Sequence, residues 1–344
     1  DVDTPIDWDV ASRHSTRSKI LFNVVGGTEL GYGHLYNAIA VADFMPEYEC
    51  IFAVPPNSCQ ALSFLQSFNY RVEQVRSQDL AMFCSKEQVR VLINDCLDTT
   101  KEFMTSVRPC VNYIVNFEDL GHGSMYADIV FNALYYDSYP LDNHFYGPEY
   151  FLLRPEFYAL SVNRRFYLRD VVSDVLICFG GTDPSCLTLK VLNSIHSICR
   201  ERKINITVVL GPGSKSSDFI SEPRFADVKF LQSVTNMAAL MAQADLAFSA
   251  AGRSVVELGF CGTPSIVLAQ NSRELLHTCV LPTNGVVNMG LGAEIDETII
   301  SDIFSSLIDS SSRRQTMIDN LRSSFQNISQ HAVGDKIRTL LQNP

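Results

Sequence analysis

Short apolar runs alternate with amphipathic segments along most of the chain. In the first 135 residues, six runs rich in β-branched and aromatic residues predict strands, and segments such as Cys59–Phe68 and Thr100–Val107 predict helices between them. The predicted strands are Ile20–Val25, Ile51–Val54, Tyr70–Val75, Val89–Ile93, Val111–Val115 and Ile129–Ala133. This alternation predicts a parallel sheet with helices on both faces.

The same pattern resumes after an aromatic and proline-rich stretch at 136–167, which we interpret as a connection between domains rather than a packed layer. Further strands are predicted at Val175–Phe179, Ile204–Leu210, Val228–Leu231, Leu246–Ser249 and Ser265–Leu268, with closing helices after Glu297. A chain of 344 residues exceeds the roughly 250–300 residues that one core supports. We therefore expect an α/β protein with two doubly wound, Rossmann-like domains that face a cleft. The expected divisions are a linker at 1–18, a first domain at 19–150, a crossover at 151–170 and a second domain at 171–344.

Composition and charge argue against several classes of partner and cofactor. The net charge of −11 argues against nucleic acid or an anionic membrane as a partner, because both need a basic surface. No apolar run reaches the roughly 20 residues that span a bilayer, and no signal peptide is visible, so we expect a cytoplasmic protein. The ten cysteines include no Cys-x-x-Cys pair and the histidines show no zinc-ligand spacing. We therefore expect free thiols and no metal or other cofactor.

Glycine turns follow several predicted strands. Gly31-Tyr32-Gly33-His34 comes after the first strand and places a histidine, a side chain suited to proton transfer, at the start of a helix. In the second domain, Gly180-Gly181-Thr182 and Gly252-Arg253-Ser254 occupy comparable positions. Glycine lets the backbone approach a ligand closely, and a helix N-terminus attracts anions, so these turns predict a diphosphate site without a metal.

Two common nucleotide enzymes do not fit. The glycine spacing of the first turn is not that of a dinucleotide fingerprint, and the second strand ends in Pro55-Pro56 rather than in an acid for a ribose hydroxyl. No Gly-Lys-Ser/Thr triplet of a P-loop occurs.

Four blocks together resemble a known family. They are Gly31–His34, Gly147–Phe157, Phe179–Pro184 and Ser249–Asn271. From about Lys19 to Gln330 the chain resembles the UDP-sugar hydrolases of the pseudaminic acid pathway and the related spore-coat polysaccharide proteins. These are relatives of the lipid II-forming N-acetylglucosaminyltransferase, and the resemblance implies their two-domain GT-B fold and a UDP-sugar substrate.

The resemblance also implies roles for individual residues. His34 would activate or position water at the anomeric carbon, Glu257 would accept both ribose hydroxyls, and Asn271 would face the diphosphate and sugar, or cap a helix starting at Ser272. The implied diphosphate contacts are Gly180, Gly181, Thr182, Gly252, Arg253 and Ser254. The implied sugar-side contacts include Gly31, Gly33 and Tyr150.

Some positions depart from the family. Asn37 stands where the hydrolases carry arginine, and Asn94-Asp95-Cys96 stands where they carry Asp-x-Tyr. Asn37 and Asp95 would then shape a different sugar pocket. Glu118 and Asp119, followed by Gly121-His122-Gly123, could bind amide or hydroxyl groups of a sugar or supply a second acid–base pair. A helix-start acid pair with a glycine turn is the equal alternative.

Three functions remain open from the sequence. Hydrolysis of a UDP-activated amino sugar in nonulosonic acid biosynthesis is the first expectation, an inverting glycosyltransferase is the alternative, and a non-catalytic nucleotide-sugar-binding module is the third. Asp1–Ala11 resembles the end of cytidylyltransferases that activate sialic-acid-like sugars. That resemblance implies such a domain covalently fused upstream.

Overall fold

The computed structural model describes residues 17–27, 31–137, 140–160, 166–214, 217–232, 234–329 and 331–342. The expected cytidylyltransferase remnant lies outside these residues. The strands are β1 (Lys19–Val24), β2 (Glu49–Val54), β3 (Arg71–Gln74), β4 (Val89–Asp95), β5 (Tyr113–Phe117), β6 (Ile129–Asn132), β7 (His144–Tyr146), β8 (Asp174–Cys178), β9 (Asn205–Leu210), β10 (Lys229–Gln232), β11 (Leu246–Ser249), β12 (Ser265–Ala269) and β13 (Val286–Leu291).

The helices are α1 (Gly33–Asp43), α2 (Cys59–Gln66), α3 (Leu80–Glu87), α4 (Lys101–Val107), α5 (Pro155–Tyr158), α6 (Leu187–Arg202), α7 (Ser217–Ile220), α8 (Met237–Gln243), α9 (Arg253–Cys261), α10 (Glu297–Ile308), α11 (Ser311–Phe325) and α12 (Ala332–Gln342). Among the helices of the described ranges, none is both long and apolar enough to cross a bilayer.

Two parallel sheets organise the chain and confirm the predicted fold class. The first has the order β3-β2-β1-β4-β5-β6-β7 and the second the order β10-β9-β8-β11-β12-β13. In each sheet the strand order reverses beside the first strand of its domain, as in doubly wound folds. The switch points therefore lie between β1 and β4 and between β8 and β11.

The central strands of both sheets are buried on both faces, and they are nearly continuous apolar runs. In β1, Ile20 and Phe22 pack into one core cluster and Leu21 into another on the opposite face. In β8, Leu176 and Ile177 divide in the same way between two clusters of the second domain. The ten cysteines are free, and five of them are buried.

The structure corrects the expected organisation in three places. His144–Tyr146, within the stretch interpreted as a connection, adds β7 to the first sheet. β13 was not predicted, and it forms the other sheet's edge with an irregular register against β12. The closing helix α12, expected in the second domain, instead packs Val333 and Ile337 against the first domain.

Segment 151–157 also packs more tightly than a connection is expected to. Phe151 and Phe157 are fully buried in a cluster of the second domain, whereas Leu152 points into the core of the first. Alternate side chains of this short segment thus join the two domains. The aromatic content that suggested an irregular linker serves this packing.

Candidate active site

The site lies where the two switch points face each other. α1 begins just after β1, and the turns that follow β8 and β11 belong to the opposite domain. A β-carbon added to Gly33 would lie 2.9 Å from Cδ of Arg253, and one added to Gly181 would lie 3.1 Å from Cδ2 of Tyr32. The two domains thus touch through the glycine turns that the sequence singles out. Ligands of doubly wound folds bind at such places.

His34 and Asp95 form a hydrogen-bonded pair across the first switch point. Nδ1 of His34 lies 2.5 Å from Oδ1 of Asp95, and Nδ2 of Asn37 donates to Oδ2 at 2.8 Å. The Asp95 side chain is 1% exposed and that of His34 is 19% exposed. A carboxylate at Nδ1 favours the tautomer with its proton there, which leaves the Nε2 lone pair for a proton from a substrate.

A chain of hydrogen-bonded asparagine side chains joins the strand ends beside this pair. Nδ2 of Asn23 donates to Asn94 at 2.9 Å, and Nδ2 of Asn94 donates to Asn116 at 2.9 Å. Nδ2 of Asn116 donates to Oδ2 of Asp119 at 2.6 Å. These side chains lie on β1, β4, β5 and the turn after β5, so the network fixes the carboxyl ends of three adjacent strands. Such satisfied networks rigidify a site.

The two adjacent acids after β5 have different environments. Asp119 accepts from the backbone N and Oγ1 of Thr99 at 2.9 and 2.6 Å, and from the backbone N of Gly121 at 2.8 Å. Its oxygens thus hold the loop in this structure, and its predicted role as a sugar contact stays a prediction. Glu118 is 7% exposed, and its Oε2 has no partner among the described residues. Burial raises the pKa of Glu118 to about 8, although Arg253 opposes the shift.

In the second domain, the backbone at the Gly180 turn has free space beside it. Gly180 has φ +82°, and a β-carbon there would meet no atom within 4 Å. Thr182 follows Gly181 in one turn and Ser254 follows Arg253 in the other, and both residues are half-buried. Gly252 precedes the first residue of α9. Backbone N–H groups at a helix start attract anions, and the diphosphate site at these turns stays a prediction.

Arg253, which is predicted to contact the diphosphate, makes contacts with the first domain and the crossover in this structure. Its guanidinium donates to the backbone O of Leu152 at 2.7 Å and to Oδ1 of Asn37 at 3.3 Å. It also lies 4.1 Å from the ring centroid of Phe151. Arg253 therefore connects the domains in this structure. It brings a cation next to Asn37, where the family resemblance leads one to expect arginine on α1 itself.

Glu257 lies on α9 and is paired. Nε of Arg154 is 3.2 Å from Oε1 of Glu257, and Nη1 of Arg154 is 3.1 Å from Glu156. The Arg154 guanidinium also lies 5.4 Å from the ring centroid of Tyr36 on α1. Since only Oε1 of Glu257 is bonded to Arg154, the carboxylate retains acceptor sites for a ligand.

Asn271 and the turn that follows it lie beside the start of α9. Oδ1 of Asn271 accepts the backbone N–H of Glu274 at 3.1 Å, so Asn271 caps a short turn as one sequence alternative proposed. Glu274 in turn accepts the backbone N–H groups of Gln270 and Ala251 at 2.8 and 3.1 Å. Burial raises the pKa of Glu274.

The remaining predicted residues divide between the site and its surroundings. Gly31, at φ +80°, pairs its backbone with Gly27 at the entrance to α1. Tyr150 packs against Phe131 and Phe145 at centroid distances of 5.7 and 5.4 Å. It therefore stabilises the edge of the first sheet, and its predicted sugar contact stays a prediction.

Sequence reasoning missed Arg154, Arg273 and the asparagine chain. The asparagines left a signal, because each stands in or at the end of an otherwise apolar strand, where an unpaired amide is costly. The arginines left none, since their partners across the domains, Glu257 and Asp98, lie more than a hundred positions away in the chain.

Comparisons with known proteins bear on the fold. Residues 175–332 match the glycosyltransferase family 28 C-terminal domain. An uncharacterised protein of Methanocaldococcus jannaschii is 31% identical over 281 residues, which cover 76% of this chain and 57% of that protein. The chain thus spans little more than half of this relative. The spore coat polysaccharide biosynthesis protein SpsG of Bacillus subtilis is 26% identical over 80% of this chain and 85% of its own.

Solved structures extend the likeness to the whole fold. MurG of Acinetobacter baumannii has a TM-score of 0.67 at 12% identity, over 94% of this chain and 99% of its own. HepE of Anabaena, solved in complex with UDP-glucose, has a TM-score of 0.57 at 14% identity, over 95% of this chain and all of its own. The chain therefore has the GT-B fold.

Proposed function

We propose that this chain transfers a sugar from a UDP-sugar to a hydroxyl acceptor. The observation that carries the proposal is the His34–Asp95 pair at the first switch point. It gives the imidazole the tautomer that a general base needs, at the site where two domains of a GT-B fold meet. HepE, which shares this fold, was crystallised with UDP-glucose, and this supports UDP as the leaving group.

The step balances with groups of this chain. Nε2 of His34 takes the proton of the acceptor O–H as that oxygen bonds to the anomeric carbon from the face opposite UDP. The bond between the anomeric carbon and the diphosphate oxygen breaks, and its electron pair leaves with UDP. Asp95 stabilises the imidazolium that forms. Displacement from the opposite face inverts the anomeric configuration.

The second domain would stabilise the leaving group. Backbone amides at Gly180 and Gly181 and at the start of α9 would receive the developing charge of the diphosphate. Glu257 would accept the ribose hydroxyls, and Arg154 would hold its carboxylate in place through the contact at 3.2 Å. Asn271 would lie on the sugar side of the diphosphate.

Hydrolysis is the second candidate function. Arg253 and Arg273 hold the domains closely together over a His34 side chain that is only 19% exposed. Such a narrow site favours the smallest nucleophile, water, and the proton transfer to His34 would be unchanged. The sequence resemblance to UDP-sugar hydrolases of the pseudaminic acid pathway supports a UDP-activated amino sugar as the substrate of this variant.

A screen for UDP release tests both candidates. UDP-glucose and UDP-amino sugars would be incubated with the protein, alone and with hydroxyl acceptors. Release only with an acceptor supports transfer, and release in water alone supports hydrolysis. UDP binding without any release would contradict both and leave a binding module. Glu257→Gln should weaken UDP binding, whereas the exposed Glu201→Gln serves as its matched control.

A further inference from the structure

One oxygen of a buried carboxyl beside the His34–Asp95 pair lacks a partner among the described residues. Oε2 of Glu118 is hidden from solvent and accepts or donates no hydrogen bond among the described residues. An unpaired polar atom in such a position is unfavourable, so native proteins rarely keep one without a use. Glu118 follows β5 and Asp95 ends β4, so the two acids lie at the ends of adjacent parallel strands.

The backbone conformation of Glu118 is also unfavourable. Its φ of 52° is a left-handed conformation that is uncommon for a residue with a side chain. Its backbone N–H donates to Phe131 at 2.8 Å, and its carbonyl accepts from Nη2 of Arg273 at 2.9 Å. The side chain is thus directed by contacts from both domains.

The surroundings favour the neutral acid. Burial dominates and raises the pKa of Glu118 to about 8, and the nearby Asp95 adds to the rise. Arg253 and the backbone amides of Leu134 and Ala133 act in the opposite direction. The other titratable groups that face it are Arg273, Tyr135 and Cys279. At neutral pH the group is mostly a carboxylic acid, which can donate a hydrogen bond.

We propose that Glu118 recognises the sugar of the nucleotide-sugar by donating a hydrogen bond from Oε2 to an uncharged oxygen of that sugar. The inference rests on the proposed function, because it takes the bound ligand to be a UDP-sugar. Arg253 and Arg273, which lie over Glu118, belong to the second domain. Separation of the domains therefore uncovers the carboxyl for an incoming ligand.

Binding measurements separate this role from a structural one. Calorimetry on the full chain would compare UDP, UDP-glucose and UDP-N-acetylglucosamine with wild type, Glu118→Gln, Glu118→Leu and the control Glu201→Gln. Glu118→Leu should weaken binding of the tighter UDP-sugar about tenfold, the size of one lost hydrogen bond. It should change UDP binding by less than about twofold. Glu118→Gln keeps a donor, so it should recover most of the lost affinity.

The pH dependence of UDP-sugar binding needs only wild type and Glu118→Gln. It therefore tests the inference even if Glu118→Leu fails to fold. Wild type should lose affinity for the UDP-sugar, but not for UDP, between pH 6.5 and pH 9, as the acid ionises. Glu118→Gln should not show this loss. Equal losses in both proteins, or a Glu118→Leu variant that binds the UDP-sugar as wild type does, would overturn the inference and leave the proposed function standing. Wild type that binds no UDP would overturn both.

Discussion

Arg273 of the second domain forms a two-point pair with Asp98 of the first. Its Nη1 and Nη2 donate to the carboxylate at 3.0 and 2.9 Å, and Nη2 also donates to the carbonyl of Glu118 at 2.9 Å. The pair therefore connects domain closure to the backbone of Glu118. Arg273 also lies 6.0 Å from the ring centroid of Tyr135.

Reversing the charge of Arg273 alone should open the cleft. Arg273→Asp places two carboxylates together and should increase the radius of gyration measured by small-angle X-ray scattering. Because both side chains are partly exposed, we expect a stability loss of only about 0.5–1 kcal/mol. The double variant Arg273→Asp with Asp98→Arg should recover the compact form in part. If the single variant is as compact as wild type, the pair does not hold the domains together.

Acid should break the same pair at an unusually low pH. The hydrogen bond from Arg273 lowers the pKa of Asp98 below its ordinary value of 3.8. The stabilising contribution is therefore complete above that ordinary value and is lost as the pH falls through the lowered one. Scattering curves of wild type should stay unchanged from pH 7 to about pH 4. Opening well above pH 4 would contradict this assignment.

Loss of the proposed general base should abolish most turnover. His34→Asn should lower the rate of UDP release by about 10²–10⁴-fold, the usual contribution of such a group. Asp95→Asn should also lower it strongly, because the imidazole can then take the wrong tautomer. The surface pair His196–Asp227, with Nε2 and Oδ1 2.7 Å apart, gives a matched control. His196→Asn should leave the rate near wild type, and an equal loss in both variants would contradict the proposed role of His34.

Removal of the buried acid should stabilise the protein in alkali. The folded pKa of Glu118, about 8, is above its ordinary value of 4.5. Its protonation therefore favours the folded state fully below pH 4.5, and this contribution is lost as the pH rises through about 8. Urea unfolding should show wild type losing stability relative to Glu118→Gln between these values. A difference that is constant from pH 5 to pH 9 would exclude a raised pKa.

Arg314 should be the main charged contributor to stability in the second domain. The side chain is 1% exposed, and its Nη1 and Nη2 donate to four carbonyls, those of Leu307, Ile308, Arg169 and Asp170, at 2.6–3.0 Å. Arg314→Met leaves these acceptors unpaired and should lower the free energy of unfolding by about 2–4 kcal/mol. The neighbouring exposed Arg313→Met should change it by less than about 0.5 kcal/mol. Similar losses in the two variants would show that the four contacts contribute little.

The fold was largely readable from the sequence, and the site only in part. Apolar runs predicted eleven of the thirteen described strands, because a strand buried on both faces must be apolar along its length. The edge strands β7 and β13 were not predicted, since one is short and the other is irregular and neither shows that pattern. Strand-to-helix turns with glycine marked both switch points, since local geometry requires glycine there.

The sequence by itself determined the two sheets, the glycine turns and the position of His34. Only the tertiary structure decided that Asp95 pairs with His34, that Asp119 holds its loop while Oε2 of Glu118 has no partner among the described residues, and that Arg253 contacts the first domain. Local patterns report what each segment can form with its neighbours in the chain. The state of a carboxyl or guanidinium depends on burial and on groups brought from distant segments, which no local pattern records.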